Sequence, residues 1–172
     1  PSACIHGTAL YHEFVQHSRL LHYNAALCCF ARKISEILKK HSITGIINLA
    51  ALKSVEESIQ KPELYEKVNH SGVQSLLSAS KSARVKYFIQ SSTAAVYGSS
   101  EDGYVDELSP TNPISPYGET KLKAEGALSE AMNKGTLRGT SLRYFNVIGS
   151  ASPALKDTST ANIATPWSLK NT

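Results

Sequence analysis

Three short apolar runs, at residues 46–52, 85–92 and 140–148, are separated by longer stretches of helical pattern. Strands spaced this way are joined by crossovers instead of tight turns, and crossovers within one sheet are right-handed and make their strands parallel. The first run, IINLAAL, is apolar without alternation, the pattern of a strand buried on both faces. The chain is therefore expected to be α/β.

The helical stretches carry their own signals. From Phe30, the residues Ile34, Ile37 and Leu38 recur at i, i+3, i+4 with Lys39 and Lys40 at the C-terminal end, a helix expected to stop near His41. Residues 54–60 are polar enough for one or two helical turns, and Pro62 suits the first turn of a helix running to about Ala83. Ser115 before Pro116 is an N-cap followed by proline at the first helical position. That helix is expected to reach Asn133, with Gly135 and Gly139 ending it. Residues 98–113, with Gly103, Pro110 and Pro113, are expected to be a long loop.

Several function classes are disfavoured. At 172 residues, 41% hydrophobic and 19% charged, the chain can bury one core. A net charge of +4 comes from scattered Lys and Arg without an aromatic-rich basic stripe, so no nucleic-acid partner is expected. No apolar run is long enough for a membrane span, and a cytoplasmic protein is the expectation. Cys4, Cys28 and Cys29 form no disulfide framework, and His12, His17 and His22 turn by about 140° per step on a helix, so they share no face; no metal site is expected.

The chemistry concentrates between residues 91 and 121. Tyr117 and Lys121 are four apart on a helix, which puts phenol and ammonium on one face. In an open parallel sheet ligands gather at the carboxyl ends of the strands. Lys53, Thr93 and Asn146 fall near such ends, and the helix after the second strand brings Tyr117 and Lys121 toward them. Singly, each has a plainer reading: a surface Tyr/Lys pair, a strand-end cap at Thr93, a solvated Lys53, an Asn69 that caps or faces water.

Together, four ordered blocks resemble the extended short-chain dehydrogenase/reductase family and, within it, the UDP-glucose 4-epimerases. They are NLAALKSVEESIQKP (48–62), FIQSSTAAVYG (88–98), SPYGETK (115–121) and LRYFN (142–146), inside roughly residues 43–155. The resemblance implies a partial Rossmann-like sheet with flanking helices and NAD as cofactor. It implies interconversion of UDP-glucose and UDP-galactose through a 4-keto sugar, with Tyr117 as general base, its pKa lowered by Lys121 and the cofactor, and Thr93 bonding the same sugar oxygen. By the same carry-over Lys53, Asn69, Ser91, Ser92, Tyr117, Lys121, Tyr144 and Phe145 face the cofactor. Thr93, Tyr117 and Asn146 face the UDP-sugar, and full-length members offer a homodimer.

The resemblance also implies parts that this sequence does not show. The family's Gly-x-x-Gly-x-x-Gly turn holds the NAD pyrophosphate, yet Gly7 is followed by no glycine until Gly45. The expected division is an unmatched segment at 1–30, a partial NAD-binding domain at 31–150 and a short tail at 151–172, the whole resembling an incomplete member with little activity alone. Two other readings stay open: a related nucleotide-sugar dehydratase or decarboxylase, and a non-catalytic binding or assembly protein on half the fold. Ala94 and Ala95 after Thr93, where a dehydratase carries acidic groups, count against the dehydratase.

Overall fold

The computed structural model describes residues 23–100, 103–135 and 137–146, with side chains from residue 31 onward. Strands β1 (Gly45–Asn48), β2 (Tyr87–Thr93) and β3 (Arg138–Tyr144) form one parallel sheet in the order β1-β2-β3. The register sets Ile46 beside Phe88 and Phe88 beside Gly139, and Ile47 beside Ile89 and Ile89 beside Thr140. Helix α1 (Tyr23–Lys40) precedes the sheet. Between β1 and β2 lie α2 (Val55–Gln60), α3 (Pro62–Tyr65), a π-helical stretch (Glu66–Ser71) and α4 (Gly72–Ser82). A short 3-10 turn (Ala94–Val96) and α5 (Pro116–Asn133) join β2 to β3. The expected α/β fold is the one observed.

Because the strands add in chain order through right-handed crossovers, α4 and α5 fall on the same face of the sheet. Phe88, with no exposed surface, packs there with Val73, Leu77, Ala124 and Leu128. Leu38 of α1 joins Ala79 and Val85 in an adjoining cluster, with Ile34, Ile43 and Ile46 against it.

Side chains alternate across a strand, so the other face takes the intervening residues. Among the described residues nothing covers it: Ile47 is 66% exposed, Tyr87 55%, Leu142 38% and Tyr144 44%. The two-sided burial expected of residues 46–52 is therefore not observed. The strand stops at Asn48, whose Oδ1 accepts the Ala50 N–H at 3.2 Å while its Nδ2 donates to Gln90 Oε1 at 2.9 Å. A side-chain amide spent on its own backbone two residues on turns the chain out of the ladder.

Other boundaries shift for local reasons. Residues 23–30 are already helical, ahead of the start expected at Phe30, while residues 1–22 and 147–172 lie outside the described residues. The helical path after Pro62 passes through the π-helical stretch before α4. Gly139, expected to end a helix, lies inside β3, where a Cβ would meet the Phe88 carbonyl oxygen at 2.7 Å. Among the described residues no helix is long and apolar enough to cross a membrane, and no cluster of three His, Cys, Asp or Glu could hold a metal ion.

Candidate active site

The first turn of α5 is fixed from both sides. Ser115 Oγ accepts the Gly118 N–H at 3.2 Å, satisfying one of the donors a helix leaves free, and Pro116 follows at the first helical position. Gly118 lets this turn seat directly on the 3-10 turn: a Cβ there would lie 2.7 Å from the Ala95 carbonyl oxygen and 2.9 Å from Pro113 Cβ. Tyr117, between cap and glycine, is held over the end of β2.

Two periodicities mesh at this contact. Tyr117 and Lys121 are about 6 Å apart along a helix axis, and Ser91 and Thr93 about 6.6 Å apart along a strand. Lys121 Nζ accordingly donates to the Ser91 carbonyl at 2.8 Å, and the Thr93 hydroxyl lies near enough to the Tyr117 phenol to pull its pKa down. Thr93 Oγ1 also accepts the Ala95 N–H at 3.2 Å, so the plain strand-end cap and the site residue are the same side chain. The cap fixes the lone pair and leaves the O–H to donate.

Burial dominates the titration of the pair. Tyr117 is pushed above the usual phenol range by loss of hydration, with the Thr93 hydroxyl pulling the other way. The lowering by Lys121 that the resemblance implies does not show in the balance of the protein's own groups, where burial outweighs what pulls the phenol down. Lys121, only 4% exposed, is itself pushed down to about 8 by burial, opposed by the Glu125 carboxylate one turn on. Beside Tyr117, the fully buried Tyr65 ring stands edge-on at 6.4 Å, its hydroxyl donating to Glu57 Oε2 at 3.2 Å. Burial and that carboxylate push the Tyr65 phenol up to about 12.

The remaining sequence-predicted residues divide. Lys53 is exposed, just past the end of β1. Asn69, buried in the π-helical stretch, accepts the Leu52 N–H at 2.9 Å, donates to the Leu52 carbonyl at 3.0 Å and reaches Thr120 Oγ1 at 3.4 Å. Its amide braces the loop after β1 and does not face water. Ser92 points to the covered face, where its hydroxyl donates to Glu125 Oε1. Tyr144, Phe145 and Asn146 are exposed at the end of β3, where Tyr144 is the register partner of Thr93 on β2.

Sequence reasoning missed Glu125, Arg143 and the role of Tyr65. Glu125 accepts a bidentate bond from Arg143, at 2.7 Å from Nη2 and at 3.1 and 3.2 Å from Nε, and the guanidinium lies 4.8 Å above the Tyr97 ring. The signal was present as a second four-residue step, Tyr117, Lys121, Glu125, along one helix face.

These residues fit part of a dinucleotide. An ammonium carries three N–H donors, and Lys121 spends one on Ser91, leaving donors for a ribose hydroxyl beside the Tyr117 phenol. A pyrophosphate needs a run of backbone N–H groups at a glycine-rich turn, and the described residues place none beside β1.

The sequence model of the GDP-mannose 4,6 dehydratase family matches residues 12–165, a wider span than the four motif blocks. The UDP-glucose 4-epimerase of Lactobacillus helveticus is 42% identical over 119 residues, 69% of this chain and 36% of that protein. The crystal structure of UDP-glucose 4-epimerase from Brucella ovis in complex with NAD superposes with a TM-score of 0.67 at 37% identity, over 69% of this chain and 37% of that one. DesIV, a dTDP-glucose 4,6-dehydratase from Streptomyces venezuelae solved with NAD, gives 0.63 at 28% identity, over 66% of this chain and 34% of that one. The chain thus spans little more than a third of the length of such relatives. With this sheet, this tyrosine and this lysine, the chain belongs to the GDP-mannose 4,6 dehydratase family of short-chain dehydrogenase/reductase type, and the UDP-glucose 4-epimerases are among its relatives.

Proposed function

We propose that this chain carries the proton-transfer half of an NAD-dependent nucleotide-sugar 4-epimerase, acting on UDP-glucose and UDP-galactose in the cytoplasm. The observation that carries the reading is the engagement of Tyr117 and Lys121 with Thr93 and Ser91 at the carboxyl end of β2. NAD, when bound, supplies the hydride acceptor and donor at the sugar C4. Tyr117 would take the 4-hydroxyl proton as the ketone forms and return it when the opposite face is reduced. Thr93, its lone pair fixed by Ala95, would donate to the same oxygen. Lys121 would hold the nicotinamide ribose and favour the phenolate by its charge, which burial alone opposes. Lys53, Tyr144 and Phe145 remain our assignment for the cofactor side, and Asn146 for the UDP-sugar.

A dehydratase is the nearest alternative, given relatives such as DesIV. Ala94 and Ala95, with no acid to protonate a leaving hydroxyl, favour the epimerase.

The experiment is an exchange of the matched stretch into the Lactobacillus helveticus enzyme. The chimera should interconvert UDP-galactose and UDP-glucose, and Tyr117→Phe within it should lower kcat by about 100-fold or more. A folded, NAD-loaded chimera without turnover sinks the reading. The 172-residue chain alone should show little turnover and retain little NAD, because it lacks the pyrophosphate contacts of a glycine-rich turn.

A further inference from the structure

Beneath the Tyr117–Lys121 pair lies a charged cluster that the proposed chemistry does not use. Glu125 sits one helical turn after Lys121, fixed by the bidentate bond from Arg143 on β3 and by the Ser92 hydroxyl on β2. Arg143 is held in turn against the Tyr97 ring. The side chains are 11% exposed at Glu125 and 22% at Arg143, so neither is a freely hydrated surface charge. Four side chains from α5, β2, β3 and the segment after the 3-10 turn thereby meet in one arrangement.

We propose that Glu125, gripped by Arg143, is a positioning residue for the dyad: it provides the counter-charge that keeps buried Lys121 an ammonium, and Arg143 sets how much of that charge Lys121 feels. An ammonium out of water needs an opposite charge nearby, and Lys121 and Glu125, one turn apart on α5, bond adjacent residues of β2, the Ser91 carbonyl and the Ser92 hydroxyl, without forming a direct ion pair. A carboxylate shared with a guanidinium offers less to a second cation than a free one would. Burial and Glu125 accordingly act in opposite directions on Lys121.

On the elements packed against this part of α5, Glu57 and Glu66 are paired elsewhere, and Glu56 and Glu63 lie on the exposed side of their helices. Glu57 takes Lys61 and Tyr65. Glu66 takes His70 and Lys123. On the π-helical stretch Lys67 is itself pushed down by burial, and Tyr117 shares the helix with Lys121. Among these neighbours, Glu125 is the group that acts on Lys121 by charge.

The inference rests on Tyr117 and Lys121 being the proton-transfer pair, but its test needs no turnover. The side-chain titration of Lys121 is followed by NMR in the 172-residue chain, with Lys121→Arg assigning the signal. Glu125→Gln should lower the Lys121 midpoint by about one pH unit, a tenfold change in proton affinity. Arg143→Met, which frees the carboxylate from its guanidinium, should raise it. Movement in opposite directions supports the proposal; a midpoint unmoved by both, or moved the same way by both, overturns it. Should Glu125→Gln fail to fold, the Arg143→Met arm decides alone, and Arg143→Lys should return the midpoint toward the original value. An inactive chimera would count against the epimerase reading and leave this titration unaffected.

Discussion

Lys121 shows how little of a residue's chemistry its type conveys. On the surface it would titrate near 10.5; here burial brings it to about 8. Between those values the unfolded chain binds the proton that the folded chain has released, so stability rises with pH across this window. Below about pH 8 both states are protonated and the cost of burying the ammonium is fully present. Urea denaturation at pH 7.5 and pH 10 should show a gain of about 1–3 kcal/mol for the native chain relative to Lys121→Met. Equal pH dependence in the two proteins would contradict the buried ammonium. The window stops at pH 10 because Tyr65 and Tyr117, pushed up in the fold, reverse the trend above it.

At the scale of elements, local signals were readable and tertiary ones were not. Ser115, Pro116 and the four-residue step from Tyr117 to Lys121 announced α5 and one of its faces, since caps and periodicity are written in neighbouring residues. The end of β1 was misread because Ala50, Ala51 and Leu52 prolong an apolar run, while what ends the strand is Asn48 bonding its own backbone and Gln90 across the sheet. The Glu125–Arg143 pair joins a helix to the strand after it, and no spacing rule within one element predicts such a partner. Asn69 belongs to this class: a polar residue in an apolar stripe proves to be the clamp on Leu52. Asn69→Ala strands the Leu52 amide and carbonyl, and should cost about 2–3 kcal/mol by urea denaturation, whereas a side chain that merely faced water would cost a few tenths.

For the whole molecule, the decisive asymmetry is that both crossover helices lie on one face. α/β sheets are ordinarily covered on both sides, and among the described residues nothing covers the side that presents Ile47, Tyr87, Leu142 and Tyr144. A contiguous apolar face of this kind drives association. In sedimentation experiments the chain should self-associate as concentration rises, and Ile47→Thr with Leu142→Thr should weaken that association while changing monomer stability by less than about 0.5 kcal/mol. Concentration-independent monomers of the native chain would show that the face is covered in solution. The helical path between β1 and β2 carries a further consequence, through its π-helical stretch at Glu66–Ser71. A π turn holds one residue more than an α turn, and one residue is about 100° of helix rotation. That surplus sets the phase between Tyr65, which faces the dyad, and Val73 and Leu77, which face Phe88. A single-residue deletion there would give a more regular helix, yet it could align only one end of the path at a time, either Tyr65 on Tyr117 or Val73 and Leu77 on Phe88.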